Sequence, residues 1–366
     1  MKIINILTKT VIILFLLTFY ACQKDDVQVK TPAARTVIAY IAANNDLSGN
    51  ASISLDAMEQ GFSETDVNLI VYIDRTGANP RLLEIHPDTA RLVKTYPVLN
   101  SADPAVLNEV LQDAINMYPA NEYGLILWSH GSSWMPNGIG LRSFGNDNGI
   151  RMNIPDLVNA LPVKFNFILF DACLMGAVEV AYELKDNTEY LIASSTETIE
   201  TGFPYDKIIP KLLKPKIDYN AVAKTYFDYY NTQRDAYQSA TVSVVETQYL
   251  AGLASSMKHL CENNQVNIYT LKRDSVQRLD VYNEQYVFDL LDFVNKLFPD
   301  ANKNDFVNQL NKVVLCKYHT PQFILEYDIN TYCGLSCYIP LPSRSDLTAY
   351  YKSLKWYQDA GLNYLF

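Results

Sequence analysis

Apolar residues in this chain gather into short, dense runs separated by polar and glycine-rich stretches, and the runs recur at intervals that leave room for a helix between them. Val37–Ala42 in TVIAYIAANNDLS is the first run, VNLIVYID (Val67–Asp74) the second and YGLILWSHG (Tyr123–Gly131) the third. FNFILF (Phe165–Phe170) and YLIAS (Tyr190–Ser194) complete the set. Runs this short and this rich in β-branched and aliphatic residues predict strands buried on both faces. Helical spacing predicts helices over 51–61, over Pro104–Tyr118 behind an Asp103 cap, over Pro155–Leu161 and over Leu174–Leu184. RLLEI and RLVKTYP predict a hairpin. Strands that alternate with helices build a mostly parallel sheet covered on both sides, so residues 36–215 are expected to form a three-layer α/β sandwich.

Beyond that point the pattern changes. Tyr219–Arg234 and Leu250–Glu262 read as helices around a strand at Ala240–Glu246. Further helices near 284–298 and 304–315 precede strands at Phe323–Tyr327 and Gly334–Ile339. Residues 216–366 are thus expected to be a mainly helical α/β region packed on the first. No internal repeat or low-complexity tract interrupts it.

The first 22 residues stand apart: Lys2 and Lys9, an apolar run from Val11 to Phe19, then Ala21 before Cys22. This is the pattern of a secretory leader. A cysteine at its end resembles a lipobox, which implies acylation of Cys22 and a membrane anchor. Residues 23–35 read as a linker, and Gln23–Asp26 resembles the export tag of surface lipoproteins. The expected location is extracytoplasmic, lipid-anchored to the outer membrane and exposed at the cell surface.

Composition narrows the function. With 49% hydrophobic and 19% charged residues in 366, the chain can bury a large core. The formal charge of −10, without any Lys/Arg stripe, excludes nucleic acid as a natural partner, since a phosphate backbone needs clustered cations. Of the six cysteines, Cys333 and Cys337 lie four residues apart in YCGLSCYIP. Along a strand that is about 13 Å, too far for one disulfide. The four histidines (His86, His130, His259, His319) do not pair with cysteines at zinc spacing.

Two polar punctuations close apolar strands: Ser-His-Gly at 129–131 and Asp-Ala-Cys at 171–173. In an open parallel sheet ligands bind beyond the carboxyl ends of the strands, so neighbouring strands would bring His130 and Cys173 to one rim. A free thiol is only about 3% thiolate at pH 7, so a nucleophilic Cys173 needs a base, which His130 can be. A helix starting directly after Cys173 would favour the anion through its dipole. The Gly131 and Cys173 N–H groups are candidate oxyanion donors. Read singly, Cys173 is a buried core thiol and His130 a satisfied polar group; read together, they favour a cysteine hydrolase. No Gly-x-Ser-x-Gly elbow offers a serine hydrolase instead.

LILWSHGSSW and FDACLMGAVEVAYEL, supported by VIAYIAANNDL, YLIASSTETIETGFPYD and CGLSCYIP, resemble the clostripain-like cysteine peptidases, relatives of caspases, legumains and gingipains. The resemblance implies a caspase-like fold and an endopeptidase cutting proteins or peptides after Arg or Lys. It assigns His130 and Cys173 as a catalytic dyad and Asp171 to the primary specificity pocket, although Asp171 could instead cap the following helix. An acid often precedes the Gly-aromatic-Pro-Tyr block in that family; here Thr201 does, with Glu200 one position earlier, and both are candidate substrate-binding residues. The resemblance also implies activation by cleavage between histidine and cysteine, where Arg142 and Arg151 are either cleavage sites or ordinary surface arginines. No cofactor is required. Calcium is a further option through Asn146, Asp147 and Asn148, which do not follow an EF-hand spacing. The alternative to an enzyme is a silent surface lipoprotein that uses the fold as a binding scaffold.

Overall fold

The computed structural model describes residues 32–63, 66–136 and 143–366. The leader and Cys22 therefore lie outside the described residues, as does Arg142. In chain order the elements are β1 (Ala33–Ala43), α1 (Ser48–Gly61), β2 (Val67–Arg75), β3 (Arg81–His86), β4 (Thr89–Thr95), α2 (Pro104–Met117) and β5 (Ala120–Trp128). A small hairpin of β6 (Phe144–Asp147) and β7 (Ile150–Met152) follows, then α3 (Ile154–Ala160), β8 (Phe165–Asp171), α4 (Val178–Glu183), β9 (Thr188–Ala193), α5 (Tyr205–Leu212) and α6 (Tyr219–Asn231). The rest comprises β10 (Thr241–Glu246), α7 (Leu250–Asn264), β11 (Val287–Asp289), α8 (Leu290–Leu297), α9 (Asn304–Val313), β12 (Val314–His319), β13 (Gln322–Phe323), β14 (Tyr327–Asp328), β15 (Ser336–Tyr338), α10 (Ser345–Tyr351) and α11 (Lys355–Asp359).

Nine strands form one sheet in the order β12-β10-β9-β8-β5-β1-β2-β3-β4. The five central strands are parallel, and both edges turn antiparallel. Period-2 alternation sends successive residues of each central strand to opposite cores. In β1, Val37, Ala39 and Ile41 face the core built with α1, α5 and α6, while Ile38, Tyr40 and Ala42 face the one built with α2, α3, α4 and the C-terminal helices. This is why the central strands read as unbroken apolar runs. The result is the expected caspase-like three-layer sandwich. Strands from beyond residue 216 complete its sheet, since β10 pairs with β9 and β12 with β10.

Four local expectations change. LMGAVEVAYEL is not one helix from Leu174: α4 begins only at Val178. Leu174 adopts φ +64°, a left-handed conformation that breaks helix formation, and the following backbone is drawn out by Leu174 N–H to Thr196 O and Gly176 N–H to Ser194 O. Phe323–Tyr327 is not one strand: Phe323 and Tyr327 pair across the β13/β14 hairpin, and Ile324 and Leu325 in its turn are both at positive φ. The helix expected from 284 starts at Leu290 after β11, and the one expected to reach 315 stops at Val313. There VLCKYH becomes the edge strand β12, unread from sequence because its residues are mixed and only half-buried.

Candidate active site

Because β1 pairs with β5 and β5 with β8, the segments leaving these three strands emerge side by side on the carboxyl rim. Ser129 ties them together: its N–H donates to Asp171 O at 3.2 Å, and its hydroxyl donates to Ala42 O at 2.6 Å. Trp128 stands in register with Asp171. A cavity of about 250 Å³ opens there, lined among others by Asp46, His130, Asp171, Cys173, Thr198 and Glu200. Three carboxylates and, among the described residues, no Lys or Arg line it.

Cys173 occupies the turn after β8, partly open to the cavity. Its sulfur accepts a hydrogen bond from Thr198 N–H at 3.3 Å and lies 3.7 Å from Thr198 O. Burial pushes the thiol up to about 12; the Thr198 N–H opposes this, while the fields of Glu197 and Asp171 add to it. The helix dipole invoked from sequence is missing, because α4 starts five residues later. Burial thus favours the neutral thiol, and nucleophilic use of this sulfur would need a base beside it. Arg151 on β7 is a cation whose field favours the thiolate.

His130 is partly buried, and its Nε2 lies 2.7 Å from Asp46 Oδ1. Among the described residues it shares no direct hydrogen bond with Cys173. Gly131 is packed backbone to backbone against Cys173: a Cβ there would come within 2.6 Å of Cys173 O and 3.1 Å of Cys173 N. Only glycine permits this approach. Gly131 also bridges to Phe144 of β6, but through Ser132 N–H to Ser143 O and Gly145 N–H to His130 O, so its own N–H stays out of the bridge.

Asp171 is 5% exposed and caps no helix. Its Oδ2 accepts the Phe203 N–H at 3.0 Å and the Tyr205 hydroxyl at 2.8 Å, whereas Oδ1 carries neither bond. Desolvation raises the carboxyl to about 6, against the stabilising pull of those two donors. Gly202, at φ +64°, lets the chain cross directly over this carboxylate; a Cβ would meet Asp171 Oδ2 at 2.5 Å. The GFPY block is thus the partner of Asp171.

The remaining sequence candidates divide. Glu200 reaches the cavity, and its carbonyl accepts the Asn50 amide at 3.1 Å. Thr201 does not line it: its hydroxyl bonds Tyr230 at 2.8 Å, facing a neighbouring cavity. Arg151 sits within β7, half-buried. Asn146, Asp147 and Asn148 do not converge as oxygen ligands. Asp147 accepts from Ser101 N–H and from the Asn44 and Asn148 amides, and Asn146 Oδ1 accepts from Gly149 N–H. These oxygens are turned to N–H donors, a set that does not fit a calcium ion. Sequence reasoning overlooked Asp46, Glu197 and Thr198; the first was legible only as part of a polar strand end, NND after β1.

The C-terminal region braces this rim. Ser336 N–H donates to Gly176 O at 2.9 Å and Tyr338 N–H to Glu179 Oε1 at 2.9 Å, so β15 holds the turn that follows Cys173. Trp134, four residues past His130, is buried against Tyr338, Tyr350 and Tyr351. Cys333 and Cys337 are buried free thiols in this support.

Residues 39–360 match the family model described as peptidase C11, clostripain family. The chain belongs to the clostripain family. Solved structures of the family superpose over nearly the whole chain. An inactive zymogen C11 protease from Parabacteroides distasonis has a TM-score of 0.81 at 32% identity, covering 91% of this chain and 99% of that one. A secreted C11 cysteine protease from Bacteroides thetaiotaomicron, in complex with an irreversible peptide inhibitor, has a TM-score of 0.80 at 30% identity, covering 90% and 99%. Clostripain of Hathewaya histolytica is 26% identical over 226 residues, or 48% of this chain; the match spans only 42% of that longer relative. The family is one of cysteine peptidases, and the caspase-like architecture is that of its solved members.

Proposed function

We propose that this chain is a cysteine endopeptidase that hydrolyses peptide bonds on the carboxyl side of Arg or Lys. The observation that carries the reading is the rim cavity in which a histidine, a thiol and a buried carboxylate meet with no Lys or Arg among the described residues that line it. A basic side chain of the substrate enters it. Asp171 Oδ1 and Glu200 receive its charge, a guanidinium being the better match for a buried carboxylate. Cys173 Sγ attacks the carbonyl carbon of that residue while His130 accepts the thiol proton. The negative oxygen that forms is met by the N–H groups of Gly131 and Cys173, each such donor worth about 3 kcal/mol. His130 then returns its proton to the leaving amine, and water releases the acyl-enzyme by the same route.

The raised thiol fits a latent state, as does the likeness to a relative described as an inactive zymogen. Activation would come from cleavage at Arg142 or Arg151, between the histidine and the cysteine. The leader and Cys22 imply export and a lipid anchor in the outer membrane, in keeping with a secreted relative.

Fluorogenic peptides ending in Arg, Lys, Asp or Asn, offered to the purified protein before and after limited trypsin treatment, test the reading. Turnover of the Arg and Lys peptides alone, lost in Cys173→Ala and His130→Ala, is the expected result. Turnover that survives Cys173→Ala would refute the mechanism, and no turnover of any peptide would favour the scaffold.

A further inference from the structure

We propose that Asp46 positions His130, gripping Nε2 so that Nδ1 is the nitrogen that exchanges protons with Cys173 and the leaving amine. The inference rests on the peptidase reading above but adds a third member that the histidine and cysteine motifs do not contain.

The contact is 2.7 Å between Asp46 Oδ1 and His130 Nε2, across 84 residues of sequence. Asp46 is otherwise an exposed acid, its side chain 76% open, with no packing role that would explain its orientation. The loop presenting it is nevertheless tightly held. Asn44 donates to Asp147 Oδ1 at 2.8 Å, Asn45 donates to Asn146 O at 2.6 Å, and Asn45 Oδ1 accepts Leu47 N–H at 2.8 Å. Both Asn146 and Asp147 belong to β6, the strand whose Gly145 N–H also donates to His130 O at 3.0 Å. One short strand thus fixes the acid and the histidine relative to each other. The oxygens of the Asn-Asp-Asn segment find their use here, as the template for this pair.

A fixed acceptor at Nε2 selects one tautomer, and the ring cannot rotate to offer the same nitrogen to the thiol. The histidine bond is also the main reason the Asp46 carboxyl lies below the usual aspartate range. The other charged or titratable groups around the pair are Arg151 on β7, Asp171 and Cys173 after β8, Glu197 and Glu200 after β9, and Tyr282 near the thiol. Asp46 is the one among them in contact with the imidazole.

Two readouts on the full chain test the role. In kinetics with an Arg peptide, Asp46→Ala is expected to lower kcat about tenfold with KM within about twofold. Asp46→Asn, which keeps an acceptor but no charge, should recover part of kcat. In the second readout, long-range 15N–1H NMR on the Cys173→Ala protein should find His130 as a single Nε2–H tautomer, and a mixture once Asp46→Ala is added. Only four histidines need assignment. An unchanged kcat, a change in KM alone, or an unchanged tautomer would overturn the positioning role and leave the peptidase reading intact. Absence of Cys173-dependent turnover would overturn the peptidase reading, while the NMR arm would still decide whether Asp46 fixes the ring.

Discussion

The two rims of the central sheet make the most instructive contrast in the molecule. The amino rim holds the larger cavity, about 610 Å³, lined by Arg35, Glu122, Tyr190, Tyr219 and others. Its conspicuous charge, Arg35, is 4% exposed, and both terminal nitrogens are already committed. Nη1 donates to Leu212 O and Lys214 O, and Nη2 donates to Glu122 and Pro215 O. The carboxyl rim has less than half that volume, yet its groups are left with capacity. Asp171 Oδ1 takes neither of its residue's two hydrogen bonds, Gly131 N–H stands outside its bridge, and the Cys173 sulfur is engaged by the Thr198 backbone while staying partly open to the cavity. Volume does not mark the site. A thiol and a histidine beside a buried carboxylate do, and the strand direction that gathers the segments after β1, β5 and β8 explains why they meet at one rim.

Substitutions that remove capacity from one rim and satisfaction from the other sharpen the contrast. The largest effect is expected at Asp171. Asp171→Asn can still accept from Phe203 and Tyr205, so folding is preserved. Losing the buried charge opposite a guanidinium should cost about 2 to 4 kcal/mol, a roughly 30- to 1,000-fold fall in kcat/KM for an Arg peptide. The same carboxyl, raised to about 6, gives a pH signature. Below about pH 6 it is protonated, so KM for Arg peptides should climb as pH falls through that value and the variant should lack this limb. A smaller and different effect is expected at the other rim. Arg35→Ala strips partners from three carbonyls and from the half-exposed Glu122, and should destabilise by about 2 kcal/mol, seen as a Tm lower by a few degrees. Activity per folded molecule should not change. If Arg35→Ala abolished turnover without loss of Tm, the amino rim would have a functional share that this contrast denies it.

How far the sequence anticipates these rims depends on whether the determining contacts are local. The five central strands were legible because burial on both faces leaves nothing but apolar residues, and Asp103 as cap of α2 was legible because its bond to Ala105 N–H is two residues long. His130 and Cys173 were legible as polar residues ending such runs. The helix read from Leu174 failed for a non-local reason: Thr196, Ser194 and Ser336 draw 174–177 into an extended turn that no period in LMGAVEV records. β12 failed because an edge strand with half-buried residues carries no apolar run. Asp46 is the sharpest case. Its partner is 84 residues away and becomes visible only once β1 and β5 are known to be neighbours.

The central claim is that Cys173 is a nucleophile served by an acidic pocket, and covalent trapping tests it most directly. The trypsin-treated protein would be incubated with matched peptidyl acyloxymethyl ketones ending in Arg or in Asp, then digested, and the adduct mapped by mass spectrometry. A single adduct on Cys173 with the Arg reagent, absent with the Asp reagent, is the predicted result. Labelling at Cys261, Cys316, Cys333 or Cys337 in preference to Cys173, or equal labelling by both reagents, would contradict it.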